Sequence, residues 1–201
     1  MNDNYLNIKK LFGNYLEDHN GWVESCEMTV LDCLGNEPRK LILDGFNADS
    51  KKDEFFEAIL NLQNNKSIVS EEATDALYRY FLDNYSDSDI NLFTGEKFER
   101  FERDNIWNHV RIGDTVHILR RPYGDFAIYV SIESGCEWES EHGLELVLKN
   151  GEKITKLGPY NGHCTNNDAY DYEQFENTIY VSNEMNKVLL EDEKYMKKFL
   201  R

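Results

Sequence analysis

The hydrophobic pattern alternates at the two ends of the chain and takes a helical period between them. Near the start, "NYLNIKKLFGNYLED" has two readings: a helix through Tyr5, Ile8, Phe12 and Tyr15, or a helical turn followed by a strand from Leu11 to Glu17. Gly13, costly inside a helix, favours the second. "GWVESCEMTVLDC" then has strand period, with Trp22, Glu24, Cys26, Met28 and Val30 on one side and Val23, Ser25, Glu27, Thr29 and Leu31 on the other. "LGNEP" supplies turn chemistry and "RKLILDGF" a further strand, which predicts an antiparallel meander. Two helices follow. In "DSKKDEFFEAILNLQNN", Ser50 is the expected N-cap and Phe55, Phe56, Ile59, Leu60 and Leu62 form an apolar stripe. In "SEEATDALYRYFLDNY", Ser70 is the cap and Ala73, Leu77, Tyr80 and Phe81 line one face. The pair is expected to form a helical hairpin. Residues 86–104 are polar with sparse apolar anchors, the best place for a mobile connection within a single domain spanning 1–201.

The second half reads as another meander. "TVHILR" and "DFAIYVSI" flank "RPYGD", and "LELVLK" and "EKITKL" flank Asn150-Gly151, a strong short hairpin signal. A two-residue turn there predicts that Lys149 faces Glu152, Val147 faces Ile154 and Glu145 faces Lys156, so that one face carries two opposite-charge pairs around an apolar pair. Leu144, Leu146, Leu148 and Leu157 then look inward. The chain closes with "SNEMNKVLLEDEKYMKKFLR", where Met185, Val188, Leu189, Tyr195, Met196 and Phe199 recur at helical spacing and lysines 194, 197 and 198 suit a helix C-terminus. The expected fold class is therefore α+β: antiparallel β-meanders at both ends of the chain, packed with a central helical pair and a C-terminal helix.

Charge narrows the partners. Thirty-eight acidic against 22 basic residues give a formal charge of −16, which opposes nucleic-acid binding because that binding is driven by phosphate neutralisation. The same field speeds encounter with a basic protein. No run approaches the roughly 18 apolar residues of a membrane span and the first residues hold no apolar leader, so a soluble, cytoplasmic chain without a membrane association is expected. Four cysteines, at 26, 33, 136 and 164, are then free thiols.

Chemistry concentrates between Glu133 and Cys164, "ESGCEWESEHGLELVLKNGEKITKLGPYNGHC". The hairpin pairing puts His142 opposite Pro159, and so brings Tyr160, Asn161 and His163 to the corner at 139–143. Cys136, His142, His163 and Cys164 have the ligand types of a structural zinc site but not the tight Cys-x-x-Cys pairing of one. A thiol nucleophile drawn from Cys136 or Cys164 needs His142 or His163 within hydrogen-bond reach, which spacing alone leaves open. Glu137, Glu139 and Glu141 offer paired carboxylates with little specificity in so acidic a chain. A G-x-S-x-G elbow, a P-loop and a dinucleotide fingerprint are all absent from the sequence, and no cofactor is expected. The same residues also suit a packed corner in which Trp138 is a core aromatic, Glu141 and His142 hydrogen-bond the loop and Gly143 bends the backbone. As binding residues the expected set is Trp138, Glu141, His142, Tyr160, His163, Tyr170 and Tyr172, the last two standing with Phe175 among Asp168, Asp171, Glu173 and Glu176. A second acidic run covers Asp83–Asp89.

Cys136, Trp138, Glu141, His142, Gly143, Leu144, Asn150, Gly151 and Gly158 together resemble the closing signature of a family of uncharacterised bacterial domains, Cys-x-Trp-x-x-Glu-His-Gly-Leu followed by a strand, an Asn-Gly turn and a strand. "LFG" before "GWVES", the paired helices and "IWNHVRIGDTVHI" are similar to that family's order of parts, and the chain departs from it after Gly158. The resemblance implies no activity. In style these proteins look similar to products of bacterial toxin and immunity genes, which implies a non-enzymatic binding module that occludes a basic toxin partner. The alternative is a hydrolase or metal protein using the His142, His163, Cys136 and Cys164 corner.

Overall fold

The computed structural model describes residues 15–17, 21–25, 29–35, 37–85, 90–91, 93–97 and 100–191. Among these, nine strands join in one sheet: β1 (Tyr15–Glu17), β2 (Val23–Ser25), β3 (Thr29–Val30), β4 (Pro38–Asp44), β5 (Val110–Arg111), β6 (Thr115–Arg120), β7 (Ile128–Cys136), β8 (Glu139–Lys149) and β9 (Lys153–Gly158). Their order is β1-β2-β4-β6-β7-β8-β9, with β3 beside β4 and β5 beside β7. The α+β class holds, but the two meanders are not separate layers. β4 and β6 pair in parallel from Lys40 opposite Thr115 to Asp44 opposite Leu119, and this fuses both antiparallel runs into one sheet. A parallel neighbour needs a long crossover, and that crossover is the helical middle of the chain.

The crossover holds α1 (Lys52–Asn64), α2 (Glu71–Asn84) and a run of 3-10 turns (Arg103–His109). The apolar stripes lie where their periodicity placed them: Phe55, Phe56, Ile59 and Leu62 of α1, and Ala73, Leu77, Tyr80 and Phe81 of α2, are buried, while Leu60 is only partly so. The helices do not form a hairpin packed on itself. α1 lies chiefly on β6 and β7, and α2 on β9 and the 3-10 turns, because one sheet face offers both stripes a common apolar surface. Ser70 caps α2, its Oγ accepting the Ala73 N–H at 3.1 Å. Ser50 does not cap α1. Lys51 holds that position without a side-chain bond, because Asp49, fixed by Arg120 Nε at 2.5 Å, accepts the Lys51 N–H at 2.7 Å and starts the helix one residue later. Within 86–104, Phe101 reaches the core, while residues 86–89, 92, 98 and 99 lie outside the described residues.

Register rows make the two sheet faces explicit. Leu43, Ile118, Val130, Leu148 and Ile154 stand side by side across five strands and, with Leu144, Leu146 and Leu157, face the helices. The opposite row is Glu24, Ile42, His117, Ser131, Val147 and Lys156. The Asn-Gly hairpin departs from the expected pairing. Lys149 faces Lys153, Leu148 faces Ile154, and after a bulge Val147 faces Lys156 and Glu145 faces Gly158. The loop therefore has three residues rather than two. Helix α1 dictates this, since Asn61 Nδ2 donates to the Asn150 carbonyl at 3.0 Å and Asn65 Nδ2 to the Glu152 carbonyl at 2.9 Å.

After β9 the chain recrosses the second sheet face, where Cys164 packs with Tyr129 and Val147. It continues through α3 (Asn166–Tyr170) and a 3-10 turn (Glu173–Phe175), runs beside β9 with the Leu157 N–H donating to the Ile179 carbonyl at 2.8 Å, and ends in α4 (Asn183–Glu191). Of the expected C-terminal stripe, Leu189 is buried against Phe175 and Val181, with Met185 partly buried beside them, and Val188 faces outward; Tyr195, Met196 and Phe199 and lysines 194, 197 and 198 lie outside the described residues. So do the alternative N-terminal helix up to Phe12 and the Cys26 to Met28 part of the alternating strand. No helix among the described residues is long and apolar enough to cross a membrane.

Candidate functional site

The corner between β7 and β8 is organised by Glu139. Its carboxylate accepts the N–H groups of Glu141 and His142, each at 2.8 Å, so Glu139, not Glu141 or His142, hydrogen-bonds the turn. Gly143 follows at φ +58°, where an added Cβ would stand 2.6 Å from the Ser134 carbonyl oxygen, and Tyr80 O–H donates to the Gly143 carbonyl at 2.7 Å. Only glycine combines that backbone with that approach. Trp138 is 8% exposed, edge-on to Tyr80 and Phe81, and its indole N–H has no hydrogen-bond partner among the described residues. It is a core aromatic. Glu141 and His142 are exposed at the rim above it.

From that rim a cleft of about 490 Å³ opens between the corner, the end of α2 and the C-terminal segment. Glu139, Glu141, His142 and Tyr160 line it on the sheet side, Tyr80 and Asn84 on the helix side, and Tyr170 and Tyr180 on the C-terminal side. Asp83 ties the segment down by accepting from Tyr180 O–H at 2.9 Å and Asn183 N–H at 2.8 Å. Tyr160 also borders a second cavity, of about 200 Å³, on the second sheet face beside Trp22, Asp44, His117, Glu133, Glu145 and His163. Burial lowers the pKa of His117, against the pull of Asp44, Glu133, Glu145 and Glu24. The expected corner is therefore two concavities divided by one tyrosine.

The thiols fall on opposite sides of the sheet. Cys136 is buried in the main core and Cys164 in the cluster with Tyr129 and Val147; burial pushes each up to about 12. His142 lines the cleft and His163 the second cavity. The set Cys136, His142, His163 and Cys164 does not converge, because its thiols belong to two different buried clusters and its histidines to two different cavities. Donor atoms of Glu139, Glu141 and His142 do lie within 4.8 Å of one another, yet both Glu139 oxygens already accept backbone N–H groups.

Two sets of charged side chains lie in the interior. Lys156 Nζ donates to Glu145 Oε2, and both residues are 1% exposed. Ser131 Oγ donates to Glu145 Oε1 at 2.8 Å and the Asn161 N–H to Oε2 at 3.2 Å. Burial lowers the Lys156 pKa although Glu145 opposes it. Arg121 is likewise 1% exposed. It donates to Asp168 through Nε at 2.9 Å and through Nη2, to Glu176 through Nη1 at 2.5 Å and Nη2 at 2.8 Å, and to Thr165 Oγ1 at 3.1 Å. Asp168, buried, and Glu176, partly exposed, are thus both engaged by Arg121. Tyr170 and Tyr172 stand half-buried, edge-on to Phe175 at 5.6 and 5.0 Å.

The second cavity was not anticipated. Its signal was the period of two in β6 and β7: His117 alternates with the buried Val116 and Ile118, and Tyr129, Ser131 and Glu133 share one face. No curated protein and no solved structure matches the chain. Residues 11–164 match the family model described as "Domain of unknown function (DUF6985)", and the match ends at Cys164, before the segment that Arg121 anchors. It covers the sheet, the crossover and the corner, well over half of the chain, and on that ground the protein belongs to the DUF6985 family.

Proposed function

We propose that the protein is a cytoplasmic, non-enzymatic binding module that captures a basic surface of another protein, in the manner of an immunity protein occluding a toxin. The observation that carries this reading is the composition of the cleft, where the exposed Glu141 and His142 stand beside the exposed Tyr160 and a wall of half-buried tyrosines. Tyrosines give contact area at low entropic cost, and carboxylates at a rim steer a basic partner and reject acidic ones. The net charge of −16 extends that steering over the whole surface. Nucleic acid is a poor ligand for the same reason. The hydrolase alternative asks for a thiolate beside an imidazole; Cys136 and Cys164 are buried with pKa values near 12 and lie on opposite faces of the sheet, which weighs against it.

The experiment is growth rescue. Produced beside a toxic basic product of an adjacent gene, the chain restores growth, and Glu141→Lys, a change at an exposed side chain, weakens binding by about tenfold or 1.4 kcal/mol. Undiminished binding by the variant, or protection against a toxin whose contacting surface is acidic, contradicts the reading.

A further inference from the structure

The cleft of about 490 Å³ is walled by asparagine as much as by tyrosine, and the state of the amide groups narrows what it can hold. Asn84, Asn161, Asn166, Asn183 and Asn186 all border it. Three of them commit their nitrogens to the protein's own backbone. Asn84 Nδ2 donates to the Tyr80 carbonyl at 2.8 Å, Asn183 Nδ2 to the Asp83 carbonyl at 3.2 Å, and Asn166 Nδ2 to the carbonyls of Thr178 at 2.8 Å and Ile179 at 3.1 Å. Only the amide nitrogen can serve a carbonyl, so each oxygen is the group left over. None of these three oxygens accepts a hydrogen bond among the described residues, and the Asn186 side chain makes none there at all. Asn166 is the sharpest case, at 5% exposed. Trp138 Nε1 is the one enclosed side-chain polar atom without a partner among the described residues. The Asn166 oxygen therefore keeps an accessible side, on a buried residue that borders the cleft.

A wall of unengaged acceptors selects a ligand by its donors. An anion meets only amide oxygens and the exposed Glu141. A bare metal ion needs oxygens gathered at one point, whereas these come from the end of α2, from α3 and from α4. A ligand with donors spaced along its length suits them, which leaves an oligosaccharide or an extended peptide. Spacing favours the peptide. Asn183 and Asn186, three apart on α4, share a helix face with about 5–6 Å between their Cβ atoms, close to the roughly 6.6 Å between N–H groups on one edge of an extended chain. Charge favours it too, since Glu141 and the net −16 attract a basic chain and give a neutral sugar nothing. The Asn161 and Asn186 amide nitrogens, without partners among the described residues, can serve the peptide's carbonyls in turn.

We propose that the cleft receives an extended basic segment of the protein partner, whose main-chain N–H groups are read by the oxygens of Asn84, Asn166, Asn183 and Asn186. The proposal rests on the binding-module reading and says which part of the partner enters. Tyr160, 43% exposed at the sheet-side rim, packs on the segment's side chains.

The test titrates the whole chain by calorimetry and side-chain amide NMR with a capped eight-residue peptide of alternating lysine and alanine. Two analogues keep its charge, one N-methylated at every alanine amide and the other at every lysine amide. Spermine supplies charge without a peptide, and maltohexaose supplies donors without charge. The parent peptide binds and moves the Asn186 amide signals, and at least one methylated analogue binds about tenfold more weakly, because it blocks the edge that faces the asparagines. Asn186→Ala, which breaks no hydrogen bond among the described residues, weakens the parent by roughly threefold or more and leaves that analogue unchanged. Glu141→Lys weakens the parent and both analogues alike. Parent-like binding by both analogues, spermine binding as tightly as the peptide, or an Asn186→Ala variant that binds the parent normally overturns the proposal. So does maltohexaose binding in the peptide's place, which would mark a glycan site. Failure of the peptide while a basic partner is still captured sinks the segment and spares the module; N–H-dependent peptide binding with no basic protein partner does the reverse.

Discussion

Arg121 holds the C-terminal segment onto the sheet, with Asp168 buried beside it and Glu176 partly exposed at its other side. Removing one member of such a set leaves a buried charge uncompensated. Arg121→Ala should cost about 3–5 kcal/mol in urea melts, and Arg121→Lys should recover little of it because a point-like ammonium cannot serve two carboxylates and Thr165 together. A loss below about 1 kcal/mol would contradict the assignment of Arg121 as anchor. Trp138 makes a second case. Trp138→Ala should cost about 3–5 kcal/mol for the lost volume. Because its N–H is unpartnered among the described residues, Trp138→Phe forfeits no hydrogen bond seen there and should cost less than about 1.5 kcal/mol. Equal costs for the two variants would mean that the indole N–H is engaged after all.

At the scale of elements, the hairpin of β8 and β9 shows how far local pattern reaches. Asn150 and Gly151 have positive φ, +52° and +71°, as the dipeptide implied, and the leucines face the core as their alternation required. The pairing was wrong because α1, nearly ninety residues earlier, holds the loop through Asn61 and Asn65. A Cβ on Gly151 would lie 2.1 Å from the Ala58 carbonyl oxygen of that helix. Gly151→Ala should therefore cost more than about 3 kcal/mol, beyond backbone strain alone, and a stability within 1 kcal/mol of the parent in denaturant melts, the scale of a permissive turn, would show that helix and loop do not meet this closely. Helix stripes, the Ser70 cap and the Gly143 bend were all legible because their causes lie within a few residues. The parallel pairing of β4 with β6, the cover over Glu145 and Lys156, and the cavity at Glu133 were not, since each depends on residues distant in the chain.

For the molecule as a whole, acidity has two consequences. Bonds from Arg121 depress the Glu176 pKa and bonds from Arg120 depress that of Asp49. Stability from these carboxylates is complete above their unfolded values of 4.5 and 3.8 and is lost as pH falls through the lower folded values. His117 adds an earlier step. Its burial lowers the folded pKa below the ordinary 6.5, so stability declines as pH drops from 6.5 toward the folded value, and His117→Gln should remove that step from a pH series of urea midpoints while leaving the acid one. Persistence of the upper step in the variant would assign it elsewhere.

The second consequence is association, and the central claim is that this acidic surface binds a basic protein. The most direct measurement captures partners from the producing cells on the immobilised chain at about 50 mM and about 500 mM salt, which shortens the screening length severalfold, identifies them, and repeats the capture with Glu141→Lys. The account predicts one dominant basic protein, bound more slowly as salt rises and lost from the variant. A dominant partner that is acidic, or whose binding is indifferent both to salt and to the reversal, would contradict it.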